Sequence, residues 1–340
     1  MLSYARPWLH QTRSLWPGVA VPLLIMLGAT FVSEHYGGPQ LLYALLFGLA
    51  FHFLHQDARC RPGIEFCAKT LLRIGVALLG ARITLAQIGQ LGIGPLAMAA
   101  LSIASTIALG AWLARRFGLK TDFGLLCGAA VSICGASAAL AVSAVMPKTK
   151  ENERHTLLAV VGVTGLSTLA MVVYPLLVKV LHLSDTGAGI FLGGTIHDVA
   201  QVIGAGLMIS HEAGDVAVIV KLFRVTLLVP VVAVLACYWR QRSSDGTRPS
   251  AGRQAPLLPF FLIGFMALVL INSLGVIPRQ LTDSLSQVSR ICLVVAISAL
   301  GIKTSFEELV KLGWRPMALM LIETLWLAAV VLVYLFVFTP

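Results

Sequence analysis

The stretch 186–209 is apolar over the length of a bilayer crossing, yet its middle, 193–201, reads G-G-T-I-H-D-V-A-Q. An apolar run of that length predicts a membrane helix. It carries His197 and Asp198 where ionisable groups are expensive, and such residues mark transport pathways or proton relays. Gly193 and Gly194 let a second backbone approach closely or let the helix loosen. On a helix His197 and Gln201 share a face, and Asp198 points to the neighbouring side. The same residues would also serve as polar glue between helices. Transport is the default reading for ionisable groups at this depth.

Runs of spanning length recur along all 340 residues, which no water-soluble core of this size requires. Charged residues make up 12% and hydrophobic residues 58%, far from the balance of a soluble domain. The net charge of +10 then reads as lysine and arginine gathered in cytoplasmic loops rather than as a nucleic-acid surface. Arg6 and Arg13 precede an apolar stretch with no evident small-residue cleavage site after it, so no signal peptide is expected. Cys60, Cys67, Cys127, Cys134, Cys237 and Cys292 form no C-x-x-C pair. They read as small buried residues rather than disulfides or metal ligands, with Cys134 kept open because of its motif.

The pattern predicts an all-α polytopic membrane protein of about eleven spans: 16–33, 38–55, 68–90, 92–114, 122–146, 156–180, 186–209, 217–238, 257–276, 288–302 and 316–338. The polar segment 240–255 reads as a cytoplasmic linker loop. With the N-terminus inside, the inner segments collect Arg6, Arg13, Arg59, Arg61, Arg115, Arg116, Lys120, Arg240, Arg242, Arg248, Arg253, Lys311 and Arg315. This favours a cytoplasmic N-terminus and a periplasmic C-terminus. The basic segment 147–155, with Lys148, Lys150 and Arg154, falls outside in this scheme and is its exception.

Internal similarity suggests a duplication. L-F-G-L-A-F-H (46–52) resembles F-L-G-G-T-I-H (191–197), and K-T-L-L-R-I (69–74) resembles V-K-L-F-R-V (220–225). The matches keep their order across an odd number of spans, so the copies would be inverted: repeat 1 over about 38–180, repeat 2 over about 186–338, after one extra N-terminal helix. A competing similarity joins L-L-G-A-R-I-T (78–84) to A-L-G-I-K-T (299–304).

Under the ordered repeat, span five pairs with span ten. Their small polar motifs, S-I-C-G-A-S-A-A (132–139) and A-I-S-A-L-G-I-K-T (296–304), suit interrupted helices whose N-terminal half-helix ends bind anions. Cys134, Gly135, Ser137 and Ser298 become candidate substrate ligands; close packing by small residues is the other reading. Arg73 and Arg224 correspond in the repeat, and Lys221 shares a face with Arg224. The in-span balance is basic, with Arg73, Arg82, Lys221 and Arg224 against Asp198 and Glu323, which favours an anionic substrate. No H-E-x-x-H, G-x-S-x-G or phosphate-binding glycine loop is present. Neither an enzyme nor a cofactor or metal is expected.

Together these motifs, with G-G-T-I-H-D-V-A-Q-V (193–202) and K-L-F-R-V-T-L-L-V-P (221–230), resemble the YeiH-like sulfate exporter family of bacterial inner-membrane proteins across nearly the whole chain. The resemblance implies a fold of the cation/proton antiporter and bile-acid symporter type: an inverted repeat, two crossing broken helices and a panel used to form a homodimer. The expected function is a secondary transporter exporting a small anion, sulfate or a related sulfur oxyanion or sulfonate. Arg73, Arg224 or Lys221 would offset the anion's charge. His197, Asp198 and Gln201 would form the coupling site for a proton or sodium ion, since histidine titrates near neutrality. The competing reading is a sodium/proton antiporter with Asp198 as the ion-binding carboxylate.

Overall fold

The computed structural model describes residues 6–242, 260–305, 307 and 313–338. Among them every regular element is a helix. In chain order they are α1 (Arg6–Tyr36), α2 (Gln40–Ala50), α3 (Arg61–Phe66), α4 (Leu72–Leu79), α5 (Leu85–Gln90), α6 (Gly94–Arg116), α7 (Thr121–Ser132), α8 (Ala136–Ser143), α9 (Lys150–Val180), α10 (Asp185–Thr195), α11 (Val199–Ile209), α12 (His211–Thr226), α13 (Leu228–Arg242), α14 (Phe260–Ser273), α15 (Arg279–Lys303) and α16 (Trp314–Phe338). Among the described residues six stretches are long and apolar enough to cross a membrane: Leu15–Tyr36, Gly94–Arg116, Lys150–Val180, His211–Gln241, Arg279–Lys303 and Trp314–Phe338. Of the expected linker 240–255, residues 243–255 lie outside the described residues, as do Arg248, Arg253 and Lys311.

The chain forms two compact units. The first comprises Met1–Gly89 and Phe260–Ser305, the second Gln90–Pro259 and Phe306–Pro340. Each draws on both halves of the sequence.

In the first unit α15 packs against α2 and α4. The contact with α2 is a glycine one: a Cβ at Gly48 would fall 2.4 Å from the Ser298 carbonyl, and one at Gly301 would fall 2.4 Å from that of Leu45. A π-turn over Cys67–Leu71 joins α3 to α4. The His52 ring donates to the Ile302 carbonyl at 2.8 Å, and Ser289 Oγ donates to Gly75 O at 2.6 Å.

This unit corrects two expectations. The expected break at 296–298 does not occur, because α15 runs unbroken and the buried Ser298 hydroxyl donates back to Val294 O at 2.9 Å. The small residues of 296–304 serve close helix packing. Arg73, expected near the anion, stands exposed on α4.

The second unit holds two helical hairpins. Helix α7 runs antiparallel to α6, since Gly110 meets Gly124 while Gly128 meets Thr106 and Ile107. After the break at 133–135 the chain returns through α8. Lys120, just before α7, ion-pairs with Glu151 in the first turn of α9, and Phe123 contacts the His155 ring at 4.8 Å between centroids. The starts of α7 and α9 therefore lie at one end of the unit, and α7–α8 enters and comes back. The second hairpin repeats this. Gly189 packs on Ala213 and Val216, and Gly193 on Ala217 and Val220, so α10 runs parallel to α12. Gly206 against Gly214 makes α11 antiparallel to it. Thr186 Oγ1 donates to Glu212 Oε1 at 2.8 Å, which joins the starts of α10 and α12.

Two expected spans, 122–146 and 186–209, are thus hairpins rather than crossings. The hairpins also remove the exception in the charge pattern. Residues 147–155 do not lie across the unit from Lys120 but beside it. The same end gathers Arg115 and Arg116, Arg315 near Gly118, and Arg240 beyond Trp239, whose indole donates to Asp122 at 2.9 Å. The 31-residue α9 carries the chain to the opposite end, where Lys179 is outnumbered by Asp185, Glu212 and Asp215.

Candidate functional site

The two hairpin tips meet. A Cβ placed on Gly135 would lie 3.6 Å from the His197 carbonyl oxygen. Gly135 adopts φ 64°, ψ −130°, a region open essentially to glycine. This lets the chain reverse between α7 and α8 in the space available. At the other tip Ile196 and Asp198 are extended and separate α10 from α11.

Both inbound helices, α7 and α10, point their C-terminal ends at this junction. Each end presents carbonyls without intrahelical partners and partial negative charge. Two fully buried cations on α12 answer them. Lys221 Nζ donates to Ile133 O at 2.6 Å and Ile196 O at 2.9 Å. The Arg224 guanidinium donates to Ser132 O through Nε at 2.8 Å and Nη2 at 2.5 Å, to Gly193 O at 2.8 Å, and to Val131 O and Ile196 O at 3.3 Å. Gly193 permits this reach, because a side chain there would fall 2.4 Å from Ala217 O and hold α10 off α12. The cations therefore staple one tip to the other.

His197 adds a second staple. It is 0% exposed, its Nδ1 donates to Val131 O at 2.8 Å, and its Nε2 faces the Thr324 hydroxyl of α16 at 3.0 Å. Since a carbonyl only accepts, Nδ1 carries a hydrogen.

The outbound helices, α8 and α11, begin at the same junction with their partial positive ends. They differ in how those ends are met. Asp198, part-exposed, caps α11: its Oδ1 accepts from Ala200 N at 2.8 Å, and its own N–H donates to Ser167 Oγ at 3.0 Å. Gly135 gives α8 no side-chain cap. The buried Cys134 thiol lies against the Ala138 N–H, and Ser137 in the first turn of α8 is exposed. Gln201 is buried on α11; its amide nitrogen donates to Thr168 Oγ1 at 2.8 Å, while its carbonyl oxygen has no partner among the described residues.

Cys134, Gly135, Ser137, His197, Asp198, Gln201, Lys221 and Arg224 thus belong to one unit, seven of them at or beside the tips. Ser298 and Arg73 belong to the other. Sequence reasoning missed Ser167, Thr168 and Thr324. The last was signalled by the in-span acid beside it, Glu323. The buried cations are engaged by backbone carbonyls, with five hydrogen bonds from Arg224 and two from Lys221.

Fold and site together define a multi-pass helical membrane protein whose polar centre is built from two hairpin tips. The chain belongs to the family described as Conserved hypothetical protein 698, matched over residues 17–320. It is 50% identical over 319 residues to a UPF0324 membrane protein of Chlorobaculum tepidum, covering 93% of this chain and 88% of the relative. It is 45% identical over 338 residues to the UPF0324 membrane protein TauZ of Paracoccus denitrificans, covering 99% of both. A relative from Rhizobium meliloti is 45% identical over 316 residues, 93% of this chain and 91% of its own. The family resemblance carried by the motifs is borne out. No solved structure matches the chain.

Proposed function

We propose that the protein is a secondary transporter of a small anion, sulfate or a related sulfur oxyanion or sulfonate, bound where the two hairpin tips meet. One observation carries this reading: Lys221 and Arg224 neutralise the negative ends of α7 and α10, while the α8 N-terminus, beside an exposed Ser137, has no cap from Gly135 and meets the Cys134 thiol at Ala138 N–H rather than a carboxylate. Helix N-termini bind anions through backbone N–H groups and the helix dipole. In this account the anion takes N–H groups of α8 and the Ser137 hydroxyl. The buried cations set the field without touching it. The sulfur part of the reading leans on the name TauZ borne by a relative, which we take as taurine-related.

The hairpin-plus-long-helix unit occurs twice, α7–α8 with α9 and α10–α11 with α12–α13, entering from opposite ends. This pairing differs from the repeat of 38–180 with 186–338 expected from the sequence, but an inverted arrangement of this kind likewise suits alternating access, in which one body moves about a site. The cation-rich end of the second unit is assigned to the cytoplasm of a bacterial inner membrane, with the end of α16 outside.

The test is thermal stabilisation of the purified protein by sulfate, sulfite, taurine, chloride and sodium, since a ligand that binds only the folded state raises the melting temperature with occupancy. A shift with a sulfur anion that is lost in Ser137→Ala supports the site. A shift with sodium alone, lost in Asp198→Asn, replaces it with the cation antiporter.

A further inference from the structure

Glu323, on α16, is 0% exposed, and neither of its carboxylate oxygens has a hydrogen-bond partner among the described residues. An ionised carboxylate cannot be held so: burying the charge without a partner is far costlier than carrying a proton. A glycine makes room for the carboxyl. It lies over the contact of α6 with α7, where a Cβ on Gly110 would fall 2.1 Å from Glu323 Oε1 and 2.6 Å from Gly124 O. Any larger residue at 110 would expel the carboxyl.

The position also connects it to the tips. Thr324, the next residue, faces His197 Nε2, so a displacement of the α10–α11 tip is transmitted to the turn of α16 that carries Glu323. The helices packed on α16 are α6, α7, α9 and α10. The titratable side chains along their packed stretches are Cys127 on α7, Tyr174 on α9 and, just past α10, His197. Their remaining charged groups sit in the end turns, including Arg115 and Arg116 of α6 and Asp122 of α7. Among the described residues no cation is placed to pair with the carboxylate in this conformation.

We infer that Glu323 is the proton-binding group of the transport cycle, which makes the coupling ion a proton. This rests on the transport reading above. In the conformation described, Glu323 is the neutral acid; when the tip withdraws, the carboxyl is opened to water and its O–H proton leaves, so one proton is exchanged per cycle. His197, with both ring nitrogens engaged by protein, is the brace that transmits the motion.

Two readouts on purified protein test this. The first needs no transport: infrared difference spectra between acid and alkaline buffer report a protonated carboxyl through its C=O stretch. The wild type is expected to show a band for a buried acid that is absent in Glu323→Gln; absence of any such difference overturns the proposal. The second uses proteoliposomes containing a pH-sensitive dye, with sulfate and taurine as probes. Glu323→Gln, close in size to the acid but unable to ionise, is expected to lose the probe-driven change in internal pH. It should lose at least tenfold of the stimulation by an imposed pH gradient, while keeping anion exchange and the wild-type melting temperature. A variant that keeps the gradient response overturns the proposal, and so does one that loses exchange and folding together. If the infrared band is present but the wild type moves neither probe, the proton site stands and the transport reading fails.

Discussion

Arg224 shows what a single residue contributes. Its guanidinium satisfies carbonyls from both inbound helices, which in an apolar interior have no water to turn to. Arg224→Ala is expected to cost about 3–5 kcal/mol, as when one partner of a buried charged arrangement is removed, read as a large drop in melting temperature. Arg224→Lys keeps the charge but not the fork that reaches several carbonyls at once, and should recover only part of the loss. His197 makes a different prediction. Because it bonds Val131 O and faces Thr324, His197→Gln should lose about 1 kcal/mol of stability, in the range of one net hydrogen bond. It should leave the pH profile of transport unchanged. A flattened profile would return the proton to this histidine.

Among the elements, the hairpins decide the topology, and both tips were legible as special before their geometry was known. Residues 132–139 stand out as small and polar within an apolar run, and 193–201 as ionisable within one. What sequence could not give was direction. An apolar run of 186–209 is equally suited to one crossing and to an entry and return, since hydropathy measures length and not path. The distinction rests on contacts remote in sequence, Lys120 with Glu151 and Thr186 with Glu212. Ser298 went astray for a related reason: small residues that loosen a helix at one place let another backbone close in at the next. The tip of α7–α8 carries its own test. Gly135 has room for a methyl group but not the backbone for it. Gly135→Ala is therefore expected to lose about 1–3 kcal/mol through strain alone and to weaken anion stabilisation with it.

At the scale of the second unit, the hairpins enter from opposite ends and the basic residues gather at one of them. The segment 147–155 joins Lys120 rather than opposing it, so charge and topology agree where the eleven-span reading set them at odds. The most direct measurement is sided labelling in intact vesicles. One cysteine at a time, Lys120→Cys, Lys150→Cys, Asp185→Cys or Glu212→Cys, is added to a chain whose Cys60, Cys237 and Cys292 are serine and whose remaining Cys67, Cys127 and Cys134 are buried. Each is then challenged with a membrane-impermeant maleimide from one side at a time. The account predicts that positions 120 and 150 label from the cytoplasmic side together and that 185 and 212 label together from the other. Labelling of 120 and 150 from opposite sides, or of 185 and 212 from opposite sides, would contradict the hairpins and with them the site at their tips.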